Sequence, residues 1–165
     1  MEEASKVRRI IRILLAGFIV GLILSGLTAF PLQWELNTLA RLLGSTSLTP
    51  DGLMHWMLKV CDGLNATYTA YPFIAYGTDW LAFGHIVIAL AFIGVWRDPV
   101  RNIWIIEWGM LACILVIPLA LICGPIRGIP FYWQLIDCSF GIVGIIPLWL
   151  CRRFIMRLET LISGA

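Results

Sequence analysis

Hydrophobic residues fall along this chain in long blocks, and polar residues gather in the gaps between them. Four blocks, residues 10–30, 80–96, 103–123 and 133–150, match or approach the roughly 17–25 residues that a helix needs to cross a bilayer. Apolar runs of that length predict helices that are hydrophobic on every side, not amphipathic helices facing a soluble core. Arg12 interrupts the first run near its start, and Pro118 and Pro147 lie inside the third and fourth. Each proline removes a backbone donor and predicts a kink that neighbouring helices must accommodate. The expected fold is an all-α integral membrane protein. It is a four-helix transmembrane bundle, with a partly helical extracytoplasmic segment between helices 1 and 2, in a single polytopic domain over residues 1–165. The first run also has features of a signal peptide, with Lys6, Arg8 and Arg9 as its basic start and Leu27-Thr28-Ala29 as a poor cleavage site. We read it as a permanent helix.

Residues 31–79 form the outer segment, and their pattern differs from that of the runs. Trp34, Leu36, Leu39, Leu42 and Leu43 predict a short amphipathic helix ending at Gly44. Thr49-Pro50-Asp51 reads as a second helix start, followed at helical spacing by Leu53, Trp56, Met57, Val60 and Leu64, with Gly63 punctuating its end. An aromatic stretch follows, with Tyr68, Tyr71, Phe73 and Tyr76 around Pro72. This segment reads either as interfacial helices resting among lipid headgroups or as a lid over the outer mouth of the bundle.

Composition supports the class. Hydrophobic residues make up 60% of the chain and charged residues 13%, with a mean hydropathy of +0.89; soluble domains run near 45–50% and about 25%. A disordered, collagen-like or ordinary water-soluble chain is excluded. The net charge of +2 is too small for a nucleic-acid binder. Lys and Arg serve orientation instead. With the N-terminus in the cytoplasm, the inner flanks hold nine of them: Lys6, Arg8, Arg9, Arg12, Arg97, Arg101, Arg152, Arg153 and Arg157. The outer segments hold three, Arg41, Lys59 and Arg127. The expected location is an integral membrane protein, in the cytoplasmic or inner membrane of a bacterium, with both termini cytoplasmic. Trp80, Trp96, Trp104, Trp133 and Trp149 lie near span ends, where amphipathic rings favour the interface.

Candidate chemistry is sparse. The chain carries no P-loop, no dinucleotide glycine fingerprint, no Gly-x-Ser-x-Gly elbow and no His-Glu-x-x-His. Its five cysteines, Cys61, Cys113, Cys123, Cys138 and Cys151, form no C-x-x-C pair, so no metal site is expected. Cys123 and Cys138 both fall near outer helix ends, as a disulfide or, more commonly, as packing thiols. His55 lies in the outer segment, so a bis-His haem is poorly supported, and no particular cofactor is implied.

Ionisable residues inside spans carry the most weight, because they are costly in hydrocarbon unless paired or hydrated. His85 shares a helix face with Ala82 and Ala89, and Asp137 shares one with Gly141 and Gly144. Small residues allow close helix approach, so both faces are expected to point into the bundle. At ~1.5 Å per residue, His85 lies roughly 8 Å, and Asp137 roughly 6 Å, below the outer ends of their runs. Arg127, in the loop of residues 124–130, and Tyr132 border the same region. These four residues read as a polar, ligand-binding pocket open to the outer side. The plainer reading is a His–Asp or Arg–Asp pair that locks two helices in register. Glu107 points away from the small face of Gly109, Ala112 and Cys113, and is expected to snorkel toward Arg97 or Arg101.

Other motifs read as structural. Gly17, Gly21 and Ser25 give a Gly-x-x-x-Gly pattern suited to close packing within the chain or in a homodimer. Asp98-Pro99 reads as a helix start. Asn65-Ala66-Thr67 is a formal glycosylation sequon. Phe83-Gly84-His85-Ile86-Val87-Ile88 and Pro130-Phe131-Tyr132-Trp133 resemble short pieces of the sterol-isomerase (emopamil-binding) family. That family places an acid four residues after its His, where this chain has Ala89, so no residue role is carried over.

Three function classes follow. The first, preferred, is a non-enzymatic accessory subunit or a binder of a lipophilic ligand, whose partners are the lipid bilayer, that ligand, or a protein partner or second copy docked through Gly17 and Gly21. The second is a membrane-embedded enzyme acting on a lipid or isoprenoid at the outer leaflet. Its acid/base would be His85, oriented by Asp137, with Arg127 holding an anionic headgroup. The third is an oligomeric transporter or channel, the weakest because few polar residues line the helices and no inverted repeat is visible.

The charge split generates a direct test. In a cysteine-free background, cysteines introduced at Ser47 and Gly128 are expected to react with an impermeant thiol reagent added from outside. Cysteines at Arg97 or the C-terminus are not. Outside labelling of the 97–102 loop contradicts the scheme.

Overall fold

The computed structural model describes residues 2–44 and 51–164. The described chain is helical throughout: α1 (Glu2–Ala29), α2 (Leu32–Gly44), α3 (Asp51–Ala70), a 3-10 turn (Pro72–Ala75), α4 (Tyr76–Arg97), α5 (Ile103–Ile126) and α6 (Phe131–Ser163). Four of these stretches are long and apolar enough to cross a membrane: α1, the 3-10 turn with α4, α5 and α6.

Several boundaries differ from those read in the sequence: α1 begins at Glu2, α4 at Tyr76 and α5 ends at Ile126, each outside its apolar run, and three others follow from local packing. α3 runs through Gly63 to Ala70. A mid-helix glycine costs about 1 kcal/mol, but the stripe of Met57, Cys61, Leu64, Asn65 and Tyr68 keeps helical spacing across it, so packing against α2 carries the helix on. The predicted start at Thr49 and Pro50 lies outside the described residues. α6 does not stop at Leu150 but continues to Ser163. The apolar run ends there, yet its period does not: Cys151, Ile155 and Leu158 are buried at i, i+4 and i+7 while Arg153 and Arg157 face outward. Arg157 pairs with Glu3 of α1, and Glu2 with Lys6 at 2.7 Å, so the charged starts and ends of these helices are themselves helical. Finally, Asp98-Pro99 makes the turn between α4 and α5 and not the start of α5. Asp98 accepts the Arg101 N–H at 3.1 Å, Asn102 donates to the Gly94 and Asp98 carbonyls at 3.1 and 2.9 Å, and α5 begins at Ile103.

The helices pack as two compact units, one formed by the residues up to Gly21 and from Ile88 onward, the other by Leu22–Val87. In the first unit, α5 and α6 form an antiparallel hairpin. Gly128, at φ +68°, adopts the left-handed conformation that glycine tolerates best. Ile129 N–H donates to the Gly124 carbonyl at 2.9 Å and Gly128 N–H to that of Pro125 at 3.1 Å, the bond pattern of a Schellman helix end. Beyond this turn, glycines bring the helices together. A methyl group at Gly124 would sit 2.6 Å from Gln134, and one at Gly141 would overlap the Cys113 carbonyl. Gln134, buried at 4% exposure, donates to the Ile129 carbonyl at 2.8 Å and so is satisfied. Further along, Phe92 of α4 packs on Phe18 with ring centroids 4.9 Å apart, and Gly109 of α5 leaves room for its edge.

The second unit holds the end of α1, the α2–α3 pair, the 3-10 turn and the start of α4. Here the close approach is at Gly26, where a Cβ would lie 2.9 Å from the Ala82 carbonyl and 3.0 Å from His85 Cβ. Gly17 and Gly21, the expected Gly-x-x-x-Gly seam, have nothing within 4 Å of an added methyl among the described residues, so neither sits at a close helix contact there.

These glycines are separable by substitution. Gly141→Ala is expected to destabilise by about 1–3 kcal/mol, the usual cost of overpacking. Gly17→Ala is expected to be neutral or stabilising by up to about 1 kcal/mol through helix propensity. Reversible unfolding in detergent distinguishes them. Equal effects at the two sites contradict the packing described.

Candidate ligand-binding cleft

The structure distributes the predicted polar residues over both units. His85 is half-buried on α4 in the second unit, with Nδ1 2.8 Å from the Leu81 carbonyl one turn back. A carbonyl only accepts, so Nδ1 carries the proton and Nε2 is the remaining ring nitrogen. Asp137, Arg127 and Tyr132 belong to the first unit. Asp137 is half-buried on α6, on the face shared by Gln134 and Gly141. Arg127 ends α5, its backbone N–H bonded to the Cys123 and Gly124 carbonyls at 3.0 and 3.1 Å and its side chain exposed. Among the described residues, Arg127 and Asp137 form no ion pair. Tyr132 is exposed in the first turn of α6.

Glu107 finds a partner other than the expected Arg97 or Arg101. Its Oε1 lies 2.8 Å from Nε of Arg152, because the antiparallel hairpin sets the end of the apolar run of α6 beside the start of α5. Both side chains are substantially open, at 48% and 39% exposure, so the pair stays in the weak regime of exposed ion pairs.

The sequon asparagine is structural. Asn65 Oδ1 accepts from Gln33 at 2.7 Å and from Asn37 at 3.0 Å, and Asn65 Nδ2 donates to Asn37 Oδ1 at 3.2 Å. This amide clasp joins α2 to α3, and a glycan on Nδ2 would have to displace Asn37. All five cysteines are free thiols, so Cys123 and Cys138 are not bridged. Burial, assisted by the neighbouring Asp62, pushes the Cys61 thiol above its ordinary pKa, which keeps it protonated and poorly nucleophilic.

The feature that sequence reading passed over is an open cleft of about 350 Å³ in the second unit, lined by Phe30, Tyr76, Asp79, Trp80 and Phe83. Tyr76, Trp80 and Phe83 recur at i, i+4 and i+7 on α4, so helical geometry puts their rings on one face. The rings meet edge to face, Tyr76 to Trp80 and Trp80 to Phe83 each at 5.9 Å. Phe30 enters from the chain just beyond α1. Asp79 supplies the one carboxylate of the lining and is half-buried, and among the described residues no donor is bonded to it. The signal was present as an aromatic i, i+4, i+7 stripe with an acid inside it. Tyr76 read as part of the aromatic stretch of the outer segment and Trp80 as an interfacial anchor of the next run, which hid the stripe. The arrangement provides apolar area, ring faces and one negative charge. Its polar atoms are that carboxylate, the Tyr76 hydroxyl and the Trp80 indole N–H.

Comparison with known proteins found no matching family model, no matching curated protein and no matching solved structure.

The Glu107–Arg152 pair is open to measurement. Glu107→Gln is expected to cost less than about 1 kcal/mol of stability, as is normal for exposed pairs. Arg152→Gln made together with it is expected to cost less than the sum of the two single changes. A loss above about 3 kcal/mol, typical of breaking a buried pair, contradicts the exposed placement.

Proposed function

We propose that this chain is an integral membrane protein with four spanning helices and cytoplasmic termini, and that it binds a lipophilic ligand through the aromatic cleft without transforming it. The bilayer reading is supported by the surface of the long helices: only 17% to 28% of the residues in their apolar stretches are buried. Leaving so much apolar area in water would cost roughly 25 cal/mol per Å²; lipid removes that cost. Orientation is supported by the nine-to-three split of Lys and Arg. Cation–π contacts of Arg12 with Trp96 at 5.9 Å and Arg153 with Trp149 at 4.8 Å set amphipathic rings and basic groups together, as suits a membrane interface. On this topology the cleft opens at the outer boundary, beside the acyl chains.

The observation that carries the binding reading is the cleft itself, a recess walled by four aromatic side chains with a single charged group. Binding is favoured over catalysis by the lining of the recess, which sets no histidine, lysine, arginine or second carboxylate beside Asp79 to share acid–base work.

Native mass spectrometry of the protein released from a mild detergent tests the proposal. The chain is expected to retain a lipid-sized adduct, and Trp80→Ala with Phe83→Ala is expected to remove most of it. A wild-type chain that carries no adduct, or an adduct indifferent to both substitutions, contradicts it.

A further inference from the structure

We propose that the ligand of this cleft is a membrane lipid with an ammonium headgroup, its charge opposed by Asp79 and its nitrogen seated against the rings of Tyr76 and Trp80. The inference rests on the lipophilic-ligand reading above and adds the chemistry of the polar end.

Three observations lead to it. First, Asp79 sits among aromatic rings with no hydrogen-bond donor or cation bonded to it among the described residues. A carboxylate in the first turn of α4 gains partial compensation from the helix dipole, and its remaining charge is open to a cation. Second, the surrounding groups suit a cation in particular. Aromatic faces carry negative quadrupole potential and attract ammonium groups within ~6 Å of the ring centroid. An alkylated nitrogen, which cannot satisfy itself with many hydrogen bonds, loses least by leaving water for such a site. An anionic headgroup would meet the Asp79 charge with no arginine or lysine in the lining. A neutral headgroup would gain no attraction from the carboxylate. Third, the occupant is a lipid and not a free amine, because the walls are part of the apolar exterior. Trp80 is 58% and Phe83 54% exposed, and the recess is open to the side and not closed over. A ligand whose chain lies along Phe83 and Phe30 continues the hydrocarbon phase, with only its head entering the recess.

The test uses the full-length protein in maltoside micelles and single-chain probes with one tail length. Dodecylphosphocholine is compared with its isostere carrying a neutral 3,3-dimethylbutyl group in place of the choline, and with dodecyltrimethylammonium, which lacks the phosphate. Binding is read by titration calorimetry and by native mass spectrometry. The choline probe is expected to bind about tenfold more tightly than the isostere, which keeps the phosphate anion and lacks the ammonium charge, within the range of a cation–π site with a partly screened carboxylate. Asp79→Asn should bring the two within about twofold. Asp79→Glu, which keeps the charge, should preserve the preference and shows that the site still folds. If choline probe and isostere bind the wild type equally, the headgroup assignment falls while the lipophilic reading stands. If neither binds, both fall. If only dodecyltrimethylammonium binds, the occupant is a free amphiphilic amine and the lipid assignment is overturned.

Discussion

The close approach of α5 to α6 at Gly141 is the constraint on which the first unit is built. Where the α6 backbone passes beneath the Cys113 carbonyl, no side chain fits. Interhelical distance is therefore set by backbone, and everything along the hairpin inherits it. Gly124 lets Gln134 close the turn, Gly109 admits the Phe92 ring, and Glu107 comes opposite Arg152. In the bilayer proposed for this chain, where apolar surface gains little from meeting apolar surface, dispersion contacts over such a seam would be the main source of helix association. The Schellman turn at Gly128 fixes the register from one end, and the Arg157–Glu3 pair ties the far end of α6 back to α1.

Long apolar runs are readable because hydrogen-bond satisfaction in lipid leaves a helix as the default for each, and the helices at 76–97, 103–126 and 131–163 contain the runs expected there. The ends were less legible, and in each case a physical period outlasted a compositional signal. Gly63 does not end α3, because residues 57, 61, 64, 65 and 68 continue one stripe. Arg152 and Arg153 do not end α6, because Cys151, Ile155 and Leu158 remain buried below them.

Glycine packing and ion pairing were illegible for a different reason. Gly17 and Gly21 match a well-known spacing, while Gly26 matches none, yet Gly26 is the one lying against α4. Which glycine is used depends on helix rotation, a tertiary property. The Glu107–Arg152 pair spans 45 residues, and only the hairpin register brings its members together. Asp79 was overlooked because its meaning comes from the three rings beside it on α4, which the apolar pattern divided between the outer segment and the following run.

The central claim is that a lipid headgroup occupies the recess between Phe30 and the first two turns of α4. The most direct measurement is photo-crosslinking in native membranes with a phospholipid that carries a diazirine next to its ammonium group, followed by peptide mapping. The account predicts labelling concentrated on residues 76–83 and at Phe30, competed by unlabelled lipid of the same headgroup. Labelling confined to the basic start of α1, or spread evenly along all the exposed apolar helix faces, would contradict it.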